Sequence, residues 1–368
     1  MTATNTIHGA ATSIGGKYNI SPPGTDQLVH AFQLVRDLEL DAAKFFMGSA
    51  YSAEWYTFST WTGSPVSLKQ LAQESQFATI FGDATIKDYL LNCFTFTGGG
   101  IGDLWKFGEG PFAVQDLFTK EYDELKEFAE YLLTTYAGTD KRFILQSWEG
   151  DWALISSTNI NDTPLINRLR VDRMVAWLQA RQRAVEDARK NIGQYRVQVL
   201  HAVEVNRVQD CISEPAIRRV ATSVLPRIRC DLVSYSAYDS VFNLQPGAVS
   251  PWYSSYNEWA QKLPERMTTA VQFLRDVSDT EVFIGEWGIP ENDMPTVGGY
   301  NIATMVTDVF NTLENLNVPW SIWWQCIDNE LQPGATVPYS NNELKGYWLY
   351  DTTGAKTTAG ITFGSLVT

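Results

Sequence analysis

The sequence predicts a (β/α)8 TIM barrel, an α/β fold, built by one catalytic domain that spans residues 1–368. Apolar runs rich in β-branched and aromatic residues alternate with segments of helical periodicity along the whole chain. Eight such strand-then-helix units can be counted. Closed barrels of parallel strands accommodate more than 250 residues as one domain, so a chain of 368 residues fits this fold.

The predicted elements follow one another in a regular order. The predicted strands begin at Thr6, Ala42, Asp88, Arg142, Tyr195, Asp231, Glu281 and Pro319. One predicted helix starts at Thr25 or Asp26, another opens at Glu214-Pro215, and others cover about residues 68–81, 120–136, 171–191, 264–277 and 302–316. A last helical turn is predicted at the end of the closing segment, residues 346–366. An open doubly wound sheet is the alternative, but such sheets normally carry a G-x-G-x-x-G turn after an early strand, and the sequence has none.

The composition indicates what the protein binds. A formal net charge of −14 repels nucleic acid and anionic membranes, so neither is an expected partner. The 13 Trp residues exceed what a core of this size needs, and indole rings stack on the apolar faces of sugars, so a neutral carbohydrate is expected. No signal peptide and no run of ~20 apolar residues is visible. A secreted or a cytoplasmic location and the oligomeric state stay open.

Neither a metal nor an organic cofactor is expected. The three histidines, His8, His30 and His201, show no H-x-H or H-E-x-x-H spacing, so a metal-dependent barrel hydrolase is a disfavoured alternative. A Schiff-base aldolase would need a lysine inside the barrel near the sixth strand. The only lysine within a predicted strand is Lys44, which lies on the second strand and is expected near the wrong end of the barrel.

Carboxylates and aromatic side chains crowd the carboxyl ends of the later predicted strands. In this fold the active site lies at those ends, because the loops that follow the strands converge there. The residues at these ends are Trp148, Glu149, Asp151, Trp152, His201, Glu204, Tyr235, Tyr238, Glu286, Trp287, Trp323 and Trp324. We expect residues at these ends to be catalytic or to contact substrate, with a core hydrogen bond as an equal alternative for His201.

Two short segments carry the candidate catalytic carboxylates. FIGEWGIP occupies residues 283–290, and FILQSWEGDW occupies residues 143–152. At both places the chain resembles the clan A retaining glycoside hydrolases, the superfamily that includes cellulases, mannanases and β-xylosidases. The resemblance implies that Glu286 is the nucleophile on the seventh strand and that Glu149 is the acid/base on the fourth.

Two further segments extend the resemblance, and one departs from it. SYSAYD at residues 234–239 is similar to the sixth-strand segment whose tyrosine hydrogen-bonds the nucleophile, which implies that role for Tyr235 or Tyr238. Trp323 or Trp324 matches the eighth-strand aromatic residue beneath the sugar. Clan A enzymes usually have Asn before the acid/base, to contact a sugar hydroxyl, whereas Trp148 precedes Glu149 here. Either another residue binds that hydroxyl, or the acid is Asp151.

The expected activity is hydrolysis of O-glycosidic bonds in a neutral β-linked oligo- or polysaccharide with retention of configuration. Such a mechanism needs two carboxyl groups about 5 to 5.5 Å apart, one ionised and one protonated. We expect a sixth-strand tyrosine to keep Glu286 ionised, and burial among Trp148 and Trp152 to keep Glu149 protonated. A barrel that binds carbohydrate without catalysis is the alternative from another functional class.

Overall fold

Eight parallel strands close into a barrel in which each strand pairs with the next along the sequence and the eighth pairs with the first. The computed structural model describes residues 6–97, 115–161, 166–193, 195–244, 250–336 and 340–368. The strands are β1 (Ile7–Ala11), β2 (Ala42–Met47), β3 (Asp88–Cys93), β4 (Arg142–Gln146), β5 (Gln198–Val205), β6 (Leu232–Ser236), β7 (Glu281–Trp287) and β8 (Trp320–Trp323). The predicted (β/α)8 TIM barrel is confirmed, and each strand lies within its predicted segment.

Helices connect the strands and cover the outside of the barrel. Within the described ranges the α-helices are Gln27–Asp37, Leu68–Gln73, Ser75–Gly82, Gln115–Thr135, Gly150–Ile155, Arg168–Ile192, Val208–Ser213, Tyr238–Val241, Tyr256–Ser278, Ile302–Leu316 and Thr358–Val367. The helix Ile302–Leu316 begins where Asn301 accepts a hydrogen bond from the Thr304 N–H at 3.1 Å, and Met305 and Val309 bury its apolar face. None of the described helices is both long and apolar enough to span a membrane.

Two predicted helices differ from the structure, and tertiary hydrogen bonds accompany both differences. The helix predicted over residues 68–81 is broken at Glu74, which has extended backbone angles and accepts a hydrogen bond from the Thr62 N–H at 3.1 Å. The helix predicted from Glu214-Pro215 is replaced by short π and 3-10 turns over residues 220–227. Asp151 accepts a hydrogen bond from the Val220 N–H at 2.7 Å, which fixes this segment against the loop after β4.

Alternation of side chains along the strands produces an inner and an outer core. The inner core is an apolar layer around the barrel axis, formed by Ala42, Leu90, Ile144, Ala202, Leu232, Phe283, Trp320 and Ile322. The residues between them, such as Val233 and Ile284, pack outward against the helices. The inward-facing side chains two positions further along β2, β4 and β5, towards the carboxyl ends, are polar. They are Lys44, Gln146 and Glu204, and they are joined by hydrogen bonds.

Candidate active site

A cavity of about 390 Å³ opens at the carboxyl ends of the strands. Its lining includes Trp148, Glu149, Trp152, Asn206, Arg207, Tyr238, Asp239, Phe242, Trp252, Glu286, Asp293, Trp324, Glu330, Lys345 and Tyr347. The two carboxyl groups expected to be catalytic, those of Glu149 and Glu286, therefore face the same cavity, and both residues are buried. This is the end of the barrel at which enzymes of this fold place their chemistry.

Glu286 reaches the cavity through an irregularity in β7. Along this strand Phe283 faces the barrel axis, and Ile284 faces the helices. The pairing of β7 with β6 then shifts register. Gly285 permits the close approach of the two strands, since a Cβ at that position would lie 1.8 Å from Ser234 Oγ. Because of this bulge, Glu286 lines the cavity instead of packing against the helices.

Lys44 contacts the Glu286 carboxylate from inside the barrel. Its Nζ lies 2.7 Å from Glu286 Oε1, 2.9 Å from Glu204 Oε1 and 3.1 Å from the Gly285 carbonyl oxygen, and its side chain is fully buried. The expectation that Lys44 lies near the wrong end of the barrel is therefore wrong. Strand alternation explains its position, because Lys44 follows the inward-facing Ala42 by two residues.

Glu204 links the two candidate catalytic residues. Its Oε1 accepts hydrogen bonds from Lys44 Nζ at 2.9 Å and from Gln146 Nε2 at 2.8 Å, and its Oε2 accepts one from the Glu149 N–H at 2.9 Å. Glu204 is fully buried and is not among the residues that line the cavity. The expected substrate contact is therefore corrected to a positioning role: Glu204 holds the backbone of Glu149 and the ammonium group that contacts Glu286.

The Glu149 carboxyl group has different surroundings from that of Glu286. Its Oε2 accepts a hydrogen bond from Trp152 Nε1 at 2.6 Å. Burial raises the pKa of Glu149 well above its usual range, and the negative charges of Glu286 and Glu204 raise this pKa further, against the smaller lowering effects of Trp152 and Lys44. The protonated form is therefore favoured, as a general acid requires.

The Glu286 carboxyl group lies beside a positive charge. Burial raises the pKa of Glu286 to about 7, and the positive charge of Lys44 is the largest influence that lowers this pKa. Lys44 contacts Glu286 directly, whereas the side-chain donor to Glu149 is a neutral indole. The surroundings of Glu286 therefore favour its ionised form more than those of Glu149 do.

The raised pKa of Glu149 predicts a pH-dependent stability. A carboxyl group whose folded pKa lies above its unfolded value of about 4.3 destabilises the fold progressively as the pH rises from that value through the folded pKa. Glu149→Gln removes this ionisation and keeps an acceptor for Trp152. We expect the melting temperature of Glu149→Gln to exceed that of the wild type at pH 8, with the gain vanishing near pH 4.

Thermal unfolding followed by circular dichroism at pH 4, 6 and 8 measures this difference. The matched control is Glu281→Gln, which removes an exposed carboxylate from the opposite end of β7. It should change the melting temperature little at any of the three pH values. A melting temperature of Glu149→Gln below that of the wild type at pH 8 would contradict the prediction.

Aromatic side chains form part of the cavity wall. Of the residues expected to contact substrate, Trp148, Trp152, Tyr238 and Trp324 line the cavity. Tyr238, not Tyr235, is the tyrosine after β6 that lies beside the candidate nucleophile. Burial and then the negative charge of Glu286 raise the pKa of Tyr238 well above its usual range, and its hydroxyl has no hydrogen-bond partner among the described residues. This hydroxyl is available to a ligand or to Glu286.

Four of the expected substrate contacts face the helices instead of the cavity: His201, Tyr235, Trp287 and Trp323. His201 Nδ1 lies 3.1 Å from Gln182 Oε1 of the helix Arg168–Ile192, and the rings of Trp287 and Trp323 pack with centroids 4.7 Å apart. The Tyr235 hydroxyl lies 2.6 Å from Ser240 Oγ. His201, Tyr235 and Trp323 are out of phase with the inward-facing residues of their own strands, and the bulge at Gly285 turns Trp287 away from the axis that Phe283 faces. The expected substrate contacts of Tyr235, Trp287 and Trp323 are therefore corrected, and for His201 the alternative of a core hydrogen bond is the one observed.

Asp151 anchors the loops around the site. Its Oδ1 accepts a hydrogen bond from the Val220 N–H at 2.7 Å, and its Oδ2 accepts hydrogen bonds from the N–H groups of Asn206 and Arg207 at 3.1 and 3.3 Å. The side chain is fully buried and does not line the cavity. The geometry therefore favours Glu149 over Asp151 as the acid, and the expected substrate contact of Asp151 is corrected to a structural one.

The sequence analysis missed a cluster of polar residues that follow β8 in the chain and line the cavity. It did not single out Lys345 or Tyr347. Lys345 Nζ lies 3.0 Å from Glu330 Oε2, and Trp324 Nε1 donates to Glu330 Oε1 at 3.2 Å. Asp328 accepts a hydrogen bond from the Tyr347 N–H at 3.2 Å and so joins two chain segments. No local pattern in the sequence predicts such contacts, because the partners lie on separate segments of the chain.

The carboxylates of the site are not arranged as a metal centre. Glu204 and Glu286 both contact the Lys44 ammonium group, which occupies the place between them. Across the described ranges, no group of three or more His, Cys, Asp or Glu side chains is placed to hold a metal ion.

Comparisons with known proteins rest on structure. No family model matches the chain, and no curated protein sequence matches it. A GH5_18 protein from Bifidobacterium longum subsp. infantis has a TM-score of 0.61 at 14% identity, over 98% of this chain and 78% of that protein. A GH5_18 protein from Bifidobacterium longum subsp. longum, in complex with Manβ1-4GlcNAc, has a TM-score of 0.59 at 17% identity, over 98% of this chain and 77% of that protein.

A third solved structure has a similar barrel and a longer chain. The exo-β-1,4-mannosidase from Opitutaceae bacterium strain TAV5 has a TM-score of 0.59 at 14% identity. The match covers 98% of this chain and 59% of that protein. At these levels of identity the similarities establish that the chain shares the barrel fold of glycoside hydrolases.

Proposed function

We propose that the protein is a retaining glycoside hydrolase that cleaves O-glycosidic bonds of a neutral β-linked saccharide. The observation that carries the proposal is that Glu149 and Glu286 face one cavity at the mouth of the barrel with unlike partners. An ammonium group contacts Glu286, and an indole N–H contacts Glu149. This asymmetry supplies the ionised nucleophile and the protonated acid that double displacement needs.

The reaction takes place in two steps. A Glu286 oxygen attacks the anomeric carbon while the bond to the leaving oxygen breaks and Glu149 donates its proton to that oxygen. The product of this step is a glycosyl ester of Glu286. Water then attacks the same carbon, the ionised Glu149 accepts a proton from it, and the Glu286 carboxylate leaves. Two displacements at one carbon restore its original configuration.

The charge of the cavity favours a neutral substrate. Its lining contains the carboxyl groups of Glu149, Asp239, Glu286, Asp293 and Glu330. Only two basic side chains, those of Arg207 and Lys345, occur among the described lining residues, and both are paired with acids. Anionic sugars would meet repulsion at such a site. One similar structure contains Manβ1-4GlcNAc, and another similar structure is that of an exo-β-1,4-mannosidase. β-Mannosides are therefore the first substrates to test.

The test is a screen of 4-nitrophenyl β-mannoside, β-glucoside and β-galactoside, each paired with its β-1,4-linked disaccharide. We expect the protein to hydrolyse at least one pair, with the β-anomer of the released sugar appearing first in the NMR spectrum. An α-anomer appearing first would contradict the retaining mechanism. Binding of these sugars without any hydrolysis would instead support a carbohydrate-binding barrel that has no catalytic activity.

Replacing the proposed acid has an effect that depends on the leaving group. We expect Glu149→Ala to lower kcat/KM on the 4-nitrophenyl glycoside by on the order of 10²-fold or more, and to lower it much less on the 2,4-dinitrophenyl glycoside, because a more acidic phenol needs no proton to leave. Azide should accelerate the second step and give a glycosyl azide of retained configuration. Initial rates and NMR of the products measure both effects.

The control separates Glu149 from the other candidate acid. Asp151→Asn keeps one acceptor oxygen and places an amide NH2 group against a backbone N–H that Asp151 binds. We expect this variant to lose stability and to reduce the rates on both aryl glycosides by the same factor. If Asp151→Asn, and not Glu149→Ala, shows the dependence on the leaving group, Asp151 is the acid.

A further inference from the structure

Two neighbouring polar side chains at the end of β5 line the cavity without using their full hydrogen-bonding capacity. Asn206 and Arg207 are 5% and 1% exposed, and both belong to the cavity wall. Asn206 Oδ1 and the Nε and Nη1 atoms of Arg207 have no hydrogen-bond partner among the described residues. Buried polar atoms in native proteins nearly always have partners, so these atoms are expected to find theirs in a ligand.

Both residues are held in place by contacts behind the cavity wall. Their backbone N–H groups donate to the carboxylate of Asp151. Arg207 Nη2 lies 2.6 Å from Asp210 Oδ2, and the guanidinium carbon lies 5.3 Å from the centre of the Trp152 ring. The backbone of both residues and the guanidinium of Arg207 are therefore fixed before a ligand arrives, which reduces the entropy cost of binding.

The chemistry of the pair fits two adjacent hydroxyl groups of a sugar. An amide oxygen accepts a hydrogen bond and a guanidinium donates one, so one hydroxyl can donate to Asn206 while its neighbour accepts from Arg207. An anionic ligand fits less well, because the positive charge of Arg207 is already balanced by Asp210. The loop after β6, the next strand, contributes Phe242 and Trp252 to the same cavity, and aromatic rings pack against the apolar faces of sugars.

The contacts of Arg207 indicate that Asn206 and Arg207 lie on the side of the cavity where the leaving group would bind. Arg207 stacks on Trp152, and the indole N–H of Trp152 donates to Glu149 Oε2. The group that donates a proton lies beside the oxygen that leaves. We propose that Asn206 and Arg207 bind a pair of vicinal hydroxyls on the sugar that leaves with this oxygen. The proposal rests on the glycoside hydrolase function inferred from Glu149 and Glu286.

A comparison of two substrates tests the proposal. The probes are the β-1,4-linked disaccharide and the 4-nitrophenyl glycoside of the same glycosyl unit, taken from whichever mannose, glucose or galactose pair the wild type hydrolyses. We expect Asn206→Ala to lower kcat/KM at least tenfold more on the disaccharide than on the 4-nitrophenyl glycoside. The reason is that the leaving sugar of the disaccharide has hydroxyl groups that can contact Asn206, whereas the nitrophenyl group has none. The melting temperature should not fall, since the deleted side-chain oxygen has no partner in the described structure.

Further variants give the test its controls. Arg207→Lys keeps a positive charge beside Asp210 but loses the guanidinium fork, so we expect the same selective loss, and it provides the comparison if Asn206→Ala does not fold. Asn191→Ala removes an exposed asparagine from the outer helix Arg168–Ile192 and should change neither rate. Equal losses on both substrates, or no loss on either, would overturn the proposal. Absence of wild-type hydrolysis on every pair would refute the proposed function instead.

Discussion

Glu286→Ala is expected to lower kcat/KM on aryl β-glycosides by on the order of 10⁴-fold or more. The reason is that neither Glu149 nor Glu204 is suited to replace the proposed nucleophile. Burial raises the pKa of Glu149 and so favours its protonated form, and Glu204 is engaged by Lys44 and Gln146 behind the cavity wall. Initial rates of nitrophenolate release, measured with wild type and variant at equal concentrations, give the size of the loss.

Azide distinguishes loss of the nucleophile from general damage to the site. Truncation of Glu286 leaves room for a small anion on the same face of the sugar, where Lys44 supplies a positive charge. We expect azide to restore part of the rate and to produce the glycosyl azide of inverted configuration, since one displacement replaces two. Glu281→Gln, at the opposite end of the same strand, should keep wild-type activity. Full activity of Glu286→Ala, or an azide product of retained configuration, would refute the assignment.

Lys44→Met is expected to lower kcat/KM by on the order of 10²-fold, because it removes the charged group that keeps Glu286 ionised. The pH profile should change with it. The proposed mechanism requires ionised Glu286, so we expect the acid limb of the profile to follow the pKa of Glu286, which burial raises to about 7. Without Lys44 this pKa rises, and we expect the acid limb to move to higher pH by about one unit or more.

Two controls separate the effect on Glu286 from a loss of stability. Lys141→Met removes another buried lysine, just before β4, whose Nζ donates to the Ile86 carbonyl oxygen at 3.3 Å; it should destabilise the fold without moving the acid limb. The double variant Lys44→Met/Glu204→Gln removes both members of a buried ion pair and should recover part of the lost stability, but not the original pH profile. An acid limb that stays in place in Lys44→Met would contradict the role assigned to Lys44.

The course of the barrel strands was predictable because it depends on local patterns. Each strand is a short apolar run between helical segments, and all eight lie within their predicted segments. The helices were less predictable where tertiary contacts compete with helical hydrogen bonds. Val220 shows this, since its N–H is bound by the Asp151 carboxylate of another loop. A sequence pattern gives no information about such a distant acceptor.

Whether a residue at a strand end faces the cavity depends on which side of the strand its side chain leaves from. The rule that chemistry lies at the carboxyl ends of the strands selected Glu149 and Glu286, but it selected Tyr235 and Trp323 as well. Strict alternation from an inward-facing residue would have decided between the two alternatives left open for His201, which directly precedes Ala202 of the inner core. The same reasoning would have placed Lys44 inside the barrel.

Along the chain, the residue patterns determined that strands and helices alternate eight times and that carboxylates and indoles collect where the later strands end. Only the closed barrel decided which of those groups meet, because the carboxylates that contact Lys44 come from two other strands. Lys44 on β2, Glu204 on β5 and Glu286 on β7 form one hydrogen-bonded set. Their distances depend on strand register and on the bulge at Gly285, which are properties of the assembled sheet.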